Sequence, residues 1–202
     1  MAFEVGVAVV LLDLDGVIRH FDESIALRVE AAHGLERGTL ARVAFEDDLL
    51  RELCVGRITR AEWIACVGER IGSPAAAAER FADIGTVDPA MLSLVDRIRA
   101  DGLPVAILTN GTDTIPAELD VLGIAGRVDR VFNTAAIGVC KPDPAVYRHV
   151  CAVLGVAPRQ VFFADDSASN VAAATAMGLL AHHFVGIGPL VADLRERAGL
   201  SV

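Results

Sequence analysis

Short apolar runs separated by amphipathic stretches set the rhythm of this chain. Continuous hydrophobic runs fall at 5–12, 105–108, 131–132, 161–164 and 179–185. Each is short and unbroken, the pattern of strands buried on both faces of a parallel sheet. Helical spacing fills the gaps between the later runs. Met91, Leu94, Val95 and Ile98 share one face behind Asp88-Pro89, which supplies an N-cap and a first-turn proline, and Gly102 with Pro104 closes that helix. Val146, Tyr147, Val150 and Leu154 line up in the same way behind Asp143-Pro144 and end at Gly155. The alternation predicts an α/β fold built on a doubly wound parallel sheet.

Residues 18–87 break that rhythm. They show no convincing strand, and their pattern predicts helices around 22–33, 39–54, 59–71 and 74–83. Thr59-Arg60-Ala61-Glu62 is a capping box placed just before Trp63, Ile64 and Val67, and Ala75 to Ala78 is a good helix-forming run. Two domains are therefore expected: an α/β core made of 1–17 and 88–202, and a small α-helical domain, 18–87, inserted after the first strand. Trp63 and Phe45 are expected to pack inside the insert.

Composition narrows the function classes. Of 202 residues, 53% are hydrophobic and 22% charged, which supplies enough apolar surface to offset the entropy of ordering. No stretch reaches the roughly 18 uncharged apolar residues of a membrane helix, and the first apolar run lacks the flanks of a secretory signal. A cytoplasmic protein without a membrane partner is expected. A net charge of −9 argues against nucleic-acid binding, which relies on clustered Lys and Arg. Cys54, Cys66, Cys140 and Cys151 form no C-x-x-C pair and read as reduced core residues. His182 and His183 are neighbours on a predicted strand, so they point to opposite faces and make poor joint metal ligands.

Candidate chemistry gathers where the strands end. In a doubly wound sheet ligands sit beyond the carboxyl ends of the strands. There the chain places Asp13 and Asp15, Thr109-Asn110-Gly111, and Asp165-Asp166-Ser167, with Lys141 in a further loop. Two carboxylates 4 Å apart repel by about 4 kcal/mol at an effective dielectric near 20. A hard divalent cation with oxygen ligands, together with Lys141, would relieve that repulsion, and Mg2+ with one or two carboxylates fits best.

These residues also carry a resemblance. Asp13-Leu14-Asp15-Gly16-Val17 resembles the D-x-D-G first motif of the haloacid dehalogenase-like hydrolases, and Leu108-Thr109-Asn110 resembles their second. Lys141 within Lys141-Pro142-Asp143-Pro144 resembles the third motif, and the run from Phe163 to Asn170 the fourth. Four motifs in order, over nearly the whole chain, point to the phosphatase branch with a Rossmann-like core and a helical cap after the first motif. The resemblance implies that Asp13 attacks phosphorus and becomes an aspartyl phosphate, while Asp15 acts as acid and then as base. It implies that Thr109, Asn110, Gly111 and Lys141 hold the phosphoryl group. Mg2+ would be bound by Asp13, the Asp15 carbonyl and Asp166, with Asp165 supporting from behind. The implied activity is Mg2+-dependent hydrolysis of a small phosphorylated metabolite, a sugar phosphate being one candidate, by a monomer or homodimer. The cap pattern Leu50, Leu53, Gly56, Ile58-Thr59, Glu62 is similar to caps of sugar-phosphate phosphatases and of epoxide-hydrolase-linked phosphatase domains.

Other readings stay open. A haloacid dehalogenase attacks carbon without a metal and lacks an acid at the position of Asp15. A phosphomutase of the same family would return a phosphate to a sugar. From another class, a receiver-like phospho-signalling module also combines acids, Thr, Lys and Mg2+, but it carries its acceptor on a middle strand and has no helical insert. A nicotinamide enzyme is disfavoured, because no G-x-G-x-x-G follows the first strand. Arg19 and His20, directly after the first motif, are further candidates for substrate contact.

Overall fold

The structure is a computed structural model and describes residues 6–201, so Val5, expected in the first strand, lies outside it. β1 (Val9–Leu12) is the centre of a parallel sheet. It pairs on one side with β4 (Val105–Thr109), which pairs with β5 (Arg130–Asn133), and on the other with β6 (Val161–Asp165), which pairs with β7 (Leu180–His183). The apolar runs are unbroken because alternate residues serve two different cores. Val10, Leu12, Val105, Ile107, Phe162 and Ala164 face α6 (Pro89–Ala100), α7 (Ile115–Val121) and α11 (Ile187–Ala198). Val9, Leu11, Ala106, Leu108, Val161 and Phe163 face α9 (Pro144–Leu154) and α10 (Ala168–Ala176). Asp88 and Asp143 cap α6 and α9 through their side chains, and Gly155 ends α9 at a φ of 68°. Among the described residues, no helix is long and apolar enough to cross a membrane.

Between β1 and α6 the chain builds five helices: α1 (Glu23–Ala32), α2 (Thr39–Ala44), α3 (Asp47–Cys54), α4 (Arg60–Arg70) and α5 (Pro74–Arg80). They enclose their own apolar cluster, which includes Val29, Leu40, Leu53, Trp63, Val67 and Phe81. The capping box Thr59–Glu62 is present at the start of α4.

Three expectations change here. The single helix expected over 39–54 is two, because Glu46 is extended and Asp47 and Asp48 open a new first turn, where negative charge is favourable. Phe45, at that break, is 56% exposed rather than packed inside, whereas Trp63 is buried against the Phe81 ring at 4.4 Å. The stretch 18–87 does contain strand: β2 (Arg19–His20) pairs antiparallel with β3 (Thr86–Val87), a ladder too short to leave a periodic trace. Ile18 and Val87 pack with the sheet cluster, so the apolar packing of the helices begins inside those limits.

The helices are seated on the core at several points. Thr134 Oγ1, at the start of α8 (Thr134–Ile137), donates to the Cys54 carbonyl at 2.7 Å. The Arg60 amide donates to Asp113 Oδ1 at 2.7 Å. Gly56 sits at a φ of 72°, and a Cβ there would lie 2.1 Å from the Ala135 carbonyl oxygen, so only glycine allows this approach.

Candidate active site

The carboxyl edge of the sheet brings the expected residues together. Asp13 leaves β1, Thr109 ends β4 and Asp165 ends β6, on either side of the point where the chain switches direction across the sheet. Lys141 Nζ sits between two carboxylates, 2.8 Å from Asp13 Oδ1 and 2.7 Å from Asp165 Oδ2. Asp165 is fully buried, and its remaining capacity goes to the Ser167 amide at 2.8 Å and to Asn170 Nδ2 at 3.0 and 3.1 Å. Its oxygens are thus committed to protein donors. Oxygens of Asp13, Asp165 and Asp166 lie within 4.8 Å of one another. Asp166 reaches this cluster over Gly16, where a Cβ would stand 2.0 Å from Asp166 Oδ2.

Asn110 holds the Lys141 loop in place: its side chain accepts from the Lys141 amide at 2.8 Å and donates to the Lys141 carbonyl at 3.0 Å. Gly111 leaves no room for a Cβ, which would meet Ile115 Cγ1 at 2.4 Å. Asp13, Asp15, Gly16, Thr109, Asn110, Lys141, Asp166 and Asn170 line one cavity of about 310 Å3.

Asp15 points elsewhere. Arg19 grips both its oxygens, with Nε 2.5 Å from Oδ1 and the NH2 nitrogen 3.0 Å from Oδ2, and the other arm of the guanidinium donates to Glu118 Oε2 at 2.6 Å. Arg19, which the sequence offers for substrate contact, is a partner of Asp15 and lines a second cavity, whereas His20 is exposed and lines neither cavity described here. Asn170 was visible only as part of a motif, and its role comes from the helical turn that carries it back to Asp165. Glu118 had no signal at all, since it lies 99 residues from Arg19.

Electrostatics mark the cluster as short of positive charge. Burial pushes the Asp13 carboxyl up to about 8 even though Lys141 pulls it down. Burial also raises Asp166, and Asp165 adds to that. Burial works against the Lys141 ammonium, but Asp13 and Asp165 outweigh it and hold its pKa above the ordinary value. Three carboxylates face one ammonium, and a divalent cation would supply the missing charge. The donor set is all oxygen, as Mg2+ prefers.

The other candidates are elsewhere. His182 Nδ1 lies 2.7 Å from Asp193 Oδ2, and His183 Nε2 donates to the Asp166 carbonyl at 2.9 Å, so the two rings do not converge. All four cysteines are free, and burial raises the Cys54 thiol to about 12, far from a reactive thiolate.

Comparison with known proteins agrees with this geometry. The chain is 25% identical over 198 residues to bifunctional epoxide hydrolase 2 of Rattus norvegicus, a match covering 89% of this chain and 35% of that protein. It is 32% identical over 104 residues to a phosphoglycolate phosphatase of Chromobacterium violaceum, covering 51% of this chain and 47% of the relative. The chain thus spans about a third to a half of these relatives' lengths. Haloacid dehalogenases are among its relatives as well. In fold it is similar to a haloacid dehalogenase-family enzyme from Bacteroides thetaiotaomicron, solved with magnesium and inorganic phosphate, at a TM-score of 0.73 and 20% identity over 88% of this chain and 93% of that one. The family model for haloacid dehalogenase-like hydrolases matches residues 7–178, through the motif-bearing strands and the helical insert alike, and the chain belongs to that family.

Proposed function

We propose that this protein is a Mg2+-dependent phosphohydrolase that takes phosphate from small phosphomonoesters through an aspartyl phosphate on Asp13, with residues 23–80 acting as a cap. The observation that carries the reading is the position of Asp15. Of the residues lining the 310 Å3 cavity, only Asp15 and Asn110 also line a second chamber, between core and helices. A phosphate in the first cavity with its organic group in the second puts the bridging oxygen at that junction. That is where a proton donor is needed.

Asp13 Oδ attacks phosphorus, the bond to the bridging oxygen breaks, and the leaving alkoxide takes a proton from Asp15, one of whose oxygens must leave Arg19 to carry it. Asp15, now a carboxylate, accepts a proton from water as that water attacks the aspartyl phosphate. Inorganic phosphate leaves and Asp13 is restored. Lys141 balances Asp13 during both steps and Thr109 and Asn110 border the phosphate. Mg2+ would be held by Asp13, the Asp15 carbonyl and Asp166, with Asp165 fixing Lys141 behind them, and when bound it would neutralise charge on the transferring group. A dehalogenase expels halide, which needs no proton, so Asp15 at the chamber junction favours phosphate.

Phosphate release from ethyl phosphate, with and without Mg2+, tests this. Activity should require the metal, and Asp13→Asn should reduce kcat by at least about a thousandfold while leaving the fold intact by circular dichroism. Full turnover by Asp13→Asn, or undiminished activity in excess chelator, would falsify the reading. Turnover that depended on an added sugar bisphosphate would indicate a phosphomutase instead.

A further inference from the structure

The second chamber presents more apolar than polar surface, although charged residues share its lining with the apolar ones. It has a volume of about 170 Å3, and Phe21, Phe45, Leu50, Trp63, Phe81 and Ile115 line it, drawn from both the helices and the core. For scale, an apolar protein cavity of about 150 Å3 holds one benzene molecule. Phe21 and Phe45 are 37% and 56% exposed, so the chamber carries aromatic surface out to solvent.

Polar groups line this chamber too, and most of them already have protein partners: Asp83 Oδ1 accepts from the Gly85 amide at 2.9 Å and Thr112 Oγ1 lies 2.8 Å from Thr114 Oγ1. Arg19 is held by Asp15 and Glu118, and Glu118 also accepts from Thr114 Oγ1 at 2.6 Å. Arg60 donates to the Phe81 carbonyl at 2.6 Å. Asn110 spends both ends of its amide on the Lys141 backbone. Trp63 Nε1 donates to the Ala44 carbonyl at 3.2 Å, and the Arg80 guanidinium lies over the Phe81 ring at 5.4 Å. A sugar ring placed here would surrender several hydrogen bonds to water for few in return, whereas a hydrocarbon ring would lose none.

We infer that the leaving group of the substrate is a compact apolar alcohol, about the size of one six-membered carbon ring, bound in the chamber above Asp15. This rests on the phosphohydrolase reading for the chemistry, but the chamber's preference for an apolar ligand is a property of its walls.

Cyclohexylmethyl phosphate and glucose 6-phosphate make the direct comparison, because both are primary phosphate esters carrying a six-membered ring, one without hydroxyls and one with them. With Mg2+ present, kcat/KM for the cyclohexylmethyl ester should exceed that for glucose 6-phosphate by about tenfold or more. Equal values, or a preference for the sugar, overturn the inference. Leu50→Gln should lower the ratio of cyclohexylmethyl to ethyl phosphate kcat/KM about threefold or more, and an unchanged ratio in a variant of native thermal stability counts against it. A readout free of turnover is available because Trp63 is the chain's single tryptophan. Cyclohexylmethanol should change its fluorescence saturably and glucose should not. If ethyl phosphate is hydrolysed but cyclohexylmethanol leaves the emission unmoved, the chamber inference falls alone. If the alcohol binds but no ester is hydrolysed, the phosphohydrolase reading falls and the apolar chamber stands.

Discussion

Around Asp13 the buried groups are mostly charged and bound to one another, whereas the chamber beside it sets aromatic and aliphatic side chains among its polar ones. Lys141, Asp165, Asn170 and Asn110 form a chain of short hydrogen bonds that leaves little freedom at the floor of the site. The helical roof contributes Phe45 and Leu50 from the segment around the break between α2 and α3, and no bond fixes their side chains. Under the proposed function the contrast separates two tasks. Phosphoryl transfer would need charges held in place, since a displaced donor stabilises nothing, while an apolar leaving group would need only area and shape.

The strongest way to break that comparison is to remove a charge from the floor. Lys141→Met leaves Asp13 and Asp165 facing each other in the interior, and stability should fall by about 3 kcal/mol, measured by urea unfolding without metal. The measurement belongs at about pH 9, above the Asp13 value of about 8, where both carboxylates ionise beside Lys141, and a variant as stable as the parent there would mean that the ion-pair account is wrong.

Arg19→Lys is gentler. A single ammonium cannot grip both Asp15 oxygens and Glu118 as the guanidinium fork does. If Asp15 is the acid of the proposed reaction, Arg19 positions it without holding phosphate, and kcat for ethyl phosphate should fall about tenfold with KM little changed. An effect confined to KM would move Arg19 into the binding site.

At the roof, Phe45→Ala should cost less than about 0.5 kcal/mol of stability by thermal or urea unfolding, as expected for a side chain 56% exposed. A larger loss would show that Phe45 packs after all.

The smallest effect belongs to the opposite edge of the sheet. Hydrogen bonds from Arg99, and from the Val105 amide at 2.9 Å, hold the Asp129 carboxyl below its usual range. A depressed folded pKa stabilises the protein above the unfolded value of about 3.9, and that contribution is lost as pH falls through the lower folded value. Asp129→Asn should therefore be slightly less stable than the parent at pH 7, with the gap closing below about pH 4 and activity untouched. A gap that stayed constant with pH would remove the ionic origin.

Much of this was legible in the chain. Asp88, Thr59 and Asp143 announced helix starts, because a cap acts on amides within three residues of it. Asp13, Asp15 and Asp166 stood out because the strands before them are continuous apolar runs, and Lys141 because its loop resembles the family's third motif. The break at Phe45-Glu46 was not legible, since the helical spacing on either side is compatible with one helix. Nor was β2 with β3, a pairing of two residues that is stabilised by strand partners remote in sequence rather than by any local pattern.

By itself, then, the sequence determined the alternation of strands and helices and the places where helices begin, which depend on periodicity and neighbours, and a set of candidate site residues at one edge of a sheet, which depends on motif resemblance as well. Tertiary structure alone decided which charges meet and what surrounds them. Arg19 finds Glu118 across 99 residues, Asn170 folds back on Asp165, and helices and core together enclose a chamber of mostly apolar surface beside Asp15. Charge compensation and cavity shape are set by distance in space, and distance in space is not written in spacing along the chain.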